Sequence, residues 1–364
     1  MKLFFLLILA ICAVNVIGQN TDIVVTSTES ATEATTEATT EEPGEEDDID
    51  DGEIFREYTK KFRVHFRRRS NFTEIRRNIV NRFRSVAKQN RRFRQGLESF
   101  NRTLYPFSHL SEDEFSDNYL GANPPDPNEV LPLVNETENE GRHGRMTEPP
   151  ETDFEWPESI VGPVKSQGQC GSCYAFAAVG VIKSRMALKY GSNVYDLSEQ
   201  DAMECSRGCA GGWDYSIYRD YSQVYGGCAA YNYMKTHSYT GISYYCQASS
   251  RPRVPNSKVI QYAYLQNNEK TIRTYLYNYG PLYTRFNVYG NFYDYSSGIY
   301  KSASGNYMGG HAIMLVGWGE ENGVKYWKLK NSWDSWWGEK GYFRMIRGNN
   351  LCGIEASVSV VLDI

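Results

Sequence analysis

At 364 residues, the chain has room for one large catalytic domain with accessory segments, or for two modest domains. Its net charge of −5 conceals a segregated pattern: residues 41–53 are acidic with no Lys or Arg, whereas residues 56–105 carry sixteen Lys or Arg against three acidic residues. Beyond the first 18 residues no stretch is apolar enough to cross a bilayer, which argues against a membrane-spanning protein.

The N-terminus has the layout of a secretory signal peptide. Lys2 precedes an apolar run over residues 3–16 that is too short for a membrane-spanning helix. Gly18 supplies the small residue expected at a signal-peptide cleavage site. We expect residues 1–18 to be removed and the product to be secreted or routed to an acidic organelle such as the lysosome. Residues 19–52 are rich in Thr, Ser and Glu, and this composition predicts a disordered segment.

Residues 54–93 form a basic segment in which apolar residues recur among arginines with the spacing of a helix. Such a face fits nucleic acid or a heparin-like polyanion, but export disfavours nucleic acid, and a solvated helix face is the commoner explanation. Residues 120–152 are rich in Pro, Asn and Glu and predict an exposed linker. N-x-Ser/Thr sequons, which predict a glycoprotein, begin before this boundary at Asn71, Asn101 and Asn135.

The remainder of the chain behaves as one globular unit. A helix is predicted over Cys173–Tyr190, where Gly191 ends it. Later runs rich in Tyr and Val predict strands, notably at Ile313–Trp318, Tyr326–Asn331 and Gly341–Arg347. A helical first part followed by a strand-rich second part predicts an α+β fold with two lobes.

The most informative stretch is Gln167-Gly-Gln-Cys170-Gly-Ser-Cys173-Tyr-Ala-Phe176. A thiolate attacks a carbonyl far better than a thiol, and a free cysteine is mostly thiol at neutral pH. The N-terminus of the helix predicted to begin at Cys173 favours the thiolate, as does a neighbouring imidazolium. Cys173 is therefore the candidate nucleophile.

The base must come from elsewhere in the chain. After the linker only two histidines remain, and His237 lies in a polar, Tyr-rich run typical of a surface loop. His311 instead opens a predicted buried strand. Asn331 follows another strand and is well placed to orient the imidazole, with Trp333 shielding that hydrogen bond from water. Gln167 is placed to offer its amide, with the backbone N–H of Cys173, to a developing oxyanion.

Five motifs, in this order and spacing, resemble papain-like cysteine proteases, and the resemblance runs from about Asp153 to the C-terminus. Residues 105–115, Tyr-Pro-Phe-Ser-His-Leu-Ser-Glu-Asp-Glu-Phe, are similar to the inhibitory propeptide of the cathepsin L type. The motifs are Gln167–Phe176, Leu197-Ser-Glu-Gln200, Gly208-Cys-Ala-Gly-Gly212, His311-Ala312 and Asn331-Ser-Trp333 followed by Trp337-Gly-Glu-Lys-Gly341.

The resemblance implies a two-lobed papain-like fold, with a helical left lobe and a β-barrel-like right lobe, after a mainly helical propeptide. Its segments would be an inhibitory propeptide and linker at 53–147 and a peptidase domain at 148–364. Cys173 would attack the scissile carbonyl, His311 would protonate the leaving amine, and Asn331 would orient His311. No segment resembles the cathepsin B occluding loop, which favours an endopeptidase.

The cysteines follow the same resemblance, which implies Cys170–Cys209 and Cys205–Cys246 bridges. The family's third bridge lacks a partner for Cys352, and Cys228 is extra; two free thiols are favoured over a Cys228–Cys352 bond. The Cys170-x-x-Cys173 spacing offers a weaker zinc hypothesis, since a site would need two more ligands. We expect no metal and no cofactor.

Alignment by motif also assigns the substrate cleft. Gly212 would pair with the substrate backbone, and Trp333 would line the cleft. The pocket for the residue two positions before the scissile bond would be lined by Trp213, Asp214, Ala312 and Ser357. An apolar preference is the default there, but Arg285, if it approaches this pocket, predicts some tolerance of an acidic side chain.

The expected partners are protein and peptide substrates, the chain's own propeptide as inhibitor, cystatin-like inhibitors and glycosaminoglycans; a monomer without nucleic acid is expected. The propeptide would lie through the cleft in a reversed direction, with its basic face against carboxylates, and acid would release it. His109 stands where the family usually has Asp and would gain charge near pH ~6.5. An exposed loop histidine without a role is the alternative.

The rival class is a catalytically silent papain-like protein that binds or scaffolds. Such proteins usually lose the nucleophile or the histidine, whereas Cys173, His311, Asn331 and Gln167 are all present. Three departures from the family pattern bear on this alternative: Tyr174 in place of Trp, Gly310 before the histidine, and Asp334 in place of Gly.

Overall fold

The computed structural model describes residues 48–364 apart from 65, 67–70, 125, 135–145, 195, 232–239 and 244. The predicted signal peptide, most of the predicted disordered segment, the Asn135 sequon and His237 lie outside the described residues. None of the described helices is long and apolar enough to cross a membrane.

The helical spacing of the basic segment is confirmed in two helices that pack together: α1 (Asp51–Phe62) and α2 (Phe72–Arg94). Asp50 caps α1 by accepting the N–H groups of Gly52 and Glu53, so the helix begins just inside the segment predicted as disordered. The recurrent apolar residues form a small core of their own between the helices: Ile54, Tyr58, Ile79, Val80, Phe83, Val86 and Leu104.

After α2, the chain continues onto the strand-rich half of the molecule, which is formed by C-terminal residues. Strand β1 (Phe100–Arg102) pairs antiparallel with a strand of that half, β5 (Tyr295–Tyr300), and helix α3 (Glu112–Tyr119) follows. A reciprocal capping box between Ser111 and Glu114 starts α3. The propeptide-like motif at 105–115 therefore packs directly on the strand-rich lobe.

The left lobe is built around helix α5, and the prediction for this helix is confirmed with its bounds. The helices of this lobe are α4 (Glu158–Val161), α5 (Cys173–Tyr190), α6 (Glu199–Glu204) and α7 (Asp214–Ile217), followed by a π-helical stretch at Tyr218–Gln223. Most of α5 is buried, because its first ten residues are apolar or small on every face.

The right lobe is a mostly antiparallel sheet with helix α8 (Glu269–Tyr279) against it. Its strands are β3 (Gln261–Tyr264), β4 (Leu282–Tyr289), β5 (Tyr295–Tyr300), β6 (Tyr307–Glu321), β7 (Val324–Lys330), β8 (Tyr342–Ile346) and β9 (Val358–Asp363), and the short β2 (Phe154–Glu155) pairs with β6. The three predicted strands are confirmed as parts of β6, β7 and β8, although the predicted ends Asn331, Gly341 and Arg347 lie one residue outside the observed strands.

The expected barrel-like closure is wrong. The strand order is β1-β5-β8-β7-β6-β4-β9-β3, so within the described residues the sheet runs from β1 to β3 without those ends pairing. The two-lobed α+β class itself is confirmed.

Strand β6 separates the two hydrophobic cores. Because side chains alternate along a strand, Ile313 and Leu315 belong to the core of the right lobe, whereas Ala312, Met314 and Val316 belong to the core around α5. The N-terminal half of β6 therefore lies at the junction of the lobes, against the start of α5.

Candidate active site

Cys173 is the first residue of α5 and is fully buried in this structure. The backbone N–H of Ala312, on β6, points to its sulfur at 3.5 Å. The sulfur therefore lies at a helix N-terminus, whose dipole favours a negative charge, and beside the strand that carries His311.

His311 is the fifth residue of β6, and Asn331 directly follows the neighbouring strand β7. The His311 Nε2 atom is 2.7 Å from the Asn331 Oδ1 atom, an acceptor, so this nitrogen carries the proton. The Nδ1 atom makes no hydrogen bond to any residue that the structure describes and keeps its lone pair. The Trp333 ring covers the pair, with its centroid 4.6 Å from that of the imidazole.

Gln167 is fully buried, and both ends of its amide are held. Its Oε1 atom accepts the Ser332 hydroxyl at 2.6 Å, which directs the Nε2 donors toward the Cys170 carbonyl at 2.8 Å and the Tyr119 carbonyl at 3.0 Å. The Tyr119 carbonyl belongs to the N-terminal segment. The Gln167 amide, which could stabilise an oxyanion, is therefore already hydrogen-bonded to a backbone carbonyl.

The N-terminal segment crosses the cleft as extended backbone. Gly121 and Ala122 donate to the Gly310 carbonyl at 3.1 and 3.0 Å, and the Gly212 N–H donates to the Gly121 carbonyl at 2.8 Å. Ala122 and Gly212 form a parallel bridge. Gly121 must be glycine, because a Cβ there would lie 1.9 Å from the Gly171 carbonyl oxygen.

Burial in this covered cleft shifts the pKa values of both candidate catalytic groups. It raises the pKa of the Cys173 thiol to about 11, although backbone N–H groups such as that of Ala312 act against it. It lowers the pKa of His311 to about 4, partly opposed by the hydrogen bond to Asn331. Between those values the covered pair is a neutral thiol and a neutral imidazole, which is an unreactive state.

These directions predict slow alkylation of the covered thiol. At pH 7, iodoacetamide should modify Cys173 in the intact chain at least roughly tenfold more slowly than after removal of the covering N-terminal segment, because only the thiolate reacts. Rates can be followed by mass spectrometry of the Cys173 peptide. Cys352, a free thiol in the same molecule, serves as an internal reference. Equal Cys173 rates in the two forms would contradict the prediction.

The remaining predicted cleft residues fall into two groups. Gly212, Ala312 and Trp333 lie at the cleft, and the Trp213 indole N–H donates to the Pro124 carbonyl at 2.6 Å. The other two do not line it in the same way. The Asp214 carboxylate is turned inward and accepts the Tyr264 hydroxyl, and Ser357 is half-buried ahead of β9.

Two of the departures from the family pattern have structural explanations. The Tyr174 hydroxyl donates to the Gly208 carbonyl at 3.0 Å, and its ring packs beneath Gly212, so the tyrosine supports the cleft floor. Asp334 has φ 75°, a left-handed conformation that aspartate adopts more readily than most non-glycine residues.

The cysteines are arranged as Cys170–Cys209 and Cys205–Cys246 disulfides, the pairs that the resemblance implies. Cys228 and Cys352 are both free, as expected. The first bridge removes Cys170 from the alternative zinc hypothesis, and the described residues contain no group of three potential metal ligands.

One site residue was not found from the sequence. Asp294, fully buried just before β5, accepts Arg102 at 2.9 Å and Arg82 at 3.3 Å, and the Arg82 guanidinium lies 3.8 Å above the Tyr293 ring. The basic segment was expected to meet carboxylates, but no sequence signal distinguishes this aspartate from others. Two buried arginines of the N-terminal segment thus converge on one carboxylate of the right lobe.

Fold and site together define a thiol protease precursor, in which a helical N-terminal segment covers a buried cysteine, histidine and asparagine. A family model described as "Papain family cysteine protease" matches residues 149–362. The chain belongs to this family of enzymes.

Relatives in sequence and structure agree with this membership. A "Cathepsin B-like cysteine proteinase" of Schistosoma japonicum is 35% identical over 236 residues, which cover 56% of this chain and 69% of that protein. "Cathepsin B-like cysteine proteinase 3" of Caenorhabditis elegans is 34% identical, and the match covers 56% of this chain and 62% of that protein.

Solved precursors superpose over most of the chain. The digestive procathepsin L2 proteinase of Tenebrio molitor larval midgut has a TM-score of 0.72 at 27% identity, covering 85% of this chain and 99% of that one. The procathepsin B S9 of Trypanosoma congolense has a TM-score of 0.65 at 28% identity, covering 76% and 98%. The chain is thus a papain-like cysteine protease made as a proform, and the cathepsin L and B types are not separated.

Proposed function

We propose that this chain is the precursor of an endopeptidase that hydrolyses peptide bonds through Cys173, His311 and Asn331. Residues 53–147 are its inhibitory propeptide and linker, and residues 148–364 are its peptidase domain. The observation that carries the proposal is the Tyr119 carbonyl, a propeptide carbonyl bound by the Gln167 amide beside the start of α5.

The chemistry follows from the side chains in the cleft. Once the cleft is open to water, Cys173 transfers its proton to His311 Nδ1, and the thiolate attacks the scissile carbonyl carbon. Gln167 Nε2 and the Cys173 N–H stabilise the oxyanion. His311 then protonates the leaving amine, and water, deprotonated by the same imidazole, hydrolyses the thioester and restores the thiol. Asn331 keeps the ring oriented throughout.

The direction of the bound propeptide explains why it inhibits instead of being cut. It pairs in parallel with Gly212, whereas the family resemblance implies that a substrate runs the opposite way. Its removal is therefore required for activity. A secretory route, ending outside the cell or in a lysosome, supplies the acidity that we propose for this step, and glycosaminoglycans and cystatin-like inhibitors are the further partners proposed.

Labelling of the acidified precursor tests this function. An epoxysuccinyl probe, which alkylates papain-like thiolates, should attach to Cys173 as residues 53–147 are lost, and mass spectrometry locates the adduct. The Cys173→Ala precursor should take no label and should stay unprocessed. Absence of label in wild-type protein that is folded and free of its propeptide would favour the silent binding protein.

His109 contributes to the acid dependence. Its Nδ1–H donates to the Pro106 carbonyl at 2.9 Å, and burial lowers the pKa of His109, opposed by that bond and by Glu114. Because the released propeptide binds the proton more tightly, the bound form loses stability as the pH falls through about 6.5.

His109→Asn should accordingly lower the pH midpoint of propeptide release by about a few tenths of a unit. The midpoint can be measured on the Cys173→Ala precursor as the pH at which the fluorescence of propeptide-contacting tryptophans changes. Equal midpoints for the two precursors would assign His109 to the alternative of a loop residue without a role.

A further inference from the structure

Arg285 lies in the cleft, although nothing in the catalytic mechanism uses it. It occupies β4 directly opposite Ala312 of β6. Its Nε atom donates to the Ala122 carbonyl of the propeptide at 3.4 Å, and one terminal nitrogen donates to the Asn287 amide oxygen at 3.2 Å. Asn287 projects from the same face of β4 and holds the guanidinium in place.

The absence of a side chain at position 310 makes room for this guanidinium. A Cβ on Gly310 would lie 2.7 Å from a terminal nitrogen of Arg285 and 2.0 Å from the Ala122 carbonyl oxygen. The third departure from the family pattern, glycine before the histidine, is thus coupled to the arginine. Together they place a cation where the substrate backbone passes.

Among the residues that the structure describes, no carboxylate pairs with the positive charge of Arg285. Several other buried or partly buried arginines do pair with acids, as Arg251 does with Asp201 and Arg344 with Glu339, whereas Arg185 donates to the Tyr279 and Leu362 carbonyls. The carboxylate of Asp214, assigned to the same pocket, is not ion-paired with Arg285 but bound to Tyr264. A half-buried guanidinium that binds only neutral oxygens has unused capacity for a bidentate carboxylate.

We propose that Arg285 binds a substrate carboxylate, so that the enzyme prefers Glu or Asp at the residue that pairs with Gly212, two positions before the scissile bond. This inference rests on the proposed peptidase function. In the precursor that place belongs to Ala122, whose methyl group cannot reach the arginine, and Arg285 binds the Ala122 backbone oxygen instead. In the active enzyme the guanidinium is released to bind the side chain of a substrate.

Matched fluorogenic peptides test this preference. The set carries Glu, Gln, Lys or Leu at the tested position and is otherwise identical, and kcat/KM is measured at pH 6, where Glu is ionised. Wild-type enzyme should cleave the Glu peptide at least about tenfold better than the isosteric Gln peptide. In Arg285→Gln the Glu-to-Gln ratio should fall to about one, and Gly310→Asn should lower it by displacing the guanidinium.

Lys325→Gln is the matched control, because it removes a cation far from the cleft. Lys325 is exposed on β7, opposite Glu320 of β6. Glu320 lies nine residues from His311 along β6, which is a distance of about 30 Å. The Glu-to-Gln ratio of the Lys325→Gln enzyme should equal that of wild type. The wild-type ratio should also fall toward one as the pH drops through about 4.3, where the Glu peptide is protonated and Arg285 stays charged.

Three outcomes would overturn the inference. A wild-type Glu-to-Gln ratio near one would show that the enzyme has no preference for an acidic residue at this position. Better cleavage of the Lys peptide would show that the Asp214 carboxylate determines the specificity of the pocket. An equal loss on all four peptides in Arg285→Gln would show that the arginine acts on the substrate backbone or on the Cys173 thiolate, and not on a substrate side chain. Failure of the proposed function is separate, since Cys173 would then take no epoxysuccinyl label.

Discussion

Mature enzyme carrying Gln167→Ala is expected to turn over peptide substrates roughly 100- to 1,000-fold more slowly in kcat, the usual cost of losing one oxyanion donor. The amide is fixed before any substrate arrives, because Ser332 holds its oxygen and the Cys170 carbonyl holds one of its N–H groups. It therefore needs no reorganisation when the negative charge develops. KM should change little, since the donor acts mainly in the transition state.

Gln169→Ala is the matched control for this prediction. Gln169 is an exposed amide of the same loop and interacts with the Tyr119 side chain of the propeptide, not with its carbonyl. Steady-state kinetics on active-site-titrated enzyme should give kcat close to wild type for Gln169→Ala. A Gln167→Ala enzyme that kept full kcat would show that the amide only holds the propeptide.

The chemistry of the site was more accessible from sequence than its regulation. Cys173, His311 and Asn331 could be proposed because each opens or ends a predictable helix or strand. Asp294 could not, because its role depends on two arginines 192 and 212 residues away in the chain. For Arg285, the sequence left open whether the side chain reaches the pocket. The structure places its guanidinium in the space left by Gly310.

The fold shows a similar division. The apolar run that ends at Gly191 defines α5, whereas β6 begins six residues before its predicted start. Gly309 and Gly310 signal a turn locally, yet they pair with Val288 and Asn287 of β4, so tertiary pairing overrides propensity. The open sheet was also missed, because the barrel-like closure was taken from the family resemblance. In the structure β5 pairs with β1, and within the described residues the end strands β1 and β3 do not pair with each other.

Asp294→Asn in the precursor is expected to loosen the propeptide by about 3–5 kcal/mol, because it leaves Arg82 and Arg102 buried without their counter-charge. Neither arginine has more than 12% of its side chain exposed, so water cannot replace the carboxylate. Opening of the cleft should become roughly two to four orders of magnitude more frequent. The Ser108 hydroxyl, 3.4 Å from the same carboxylate, adds little.

The rate of epoxysuccinyl labelling of Cys173 in intact precursor at pH 7 measures this opening, because the probe reacts only when the propeptide has left the cleft. Arg219→Gln is the comparison: it breaks the Arg219–Glu129 pair across the same interface, where the side chains are 40% and 25% exposed. An exposed pair contributes about 0–1 kcal/mol, so labelling should rise less than roughly tenfold. Similar rates for the two variants would mean that the propeptide is held by its aromatic contacts and backbone pairing, with Asp294 contributing no more than a surface charge.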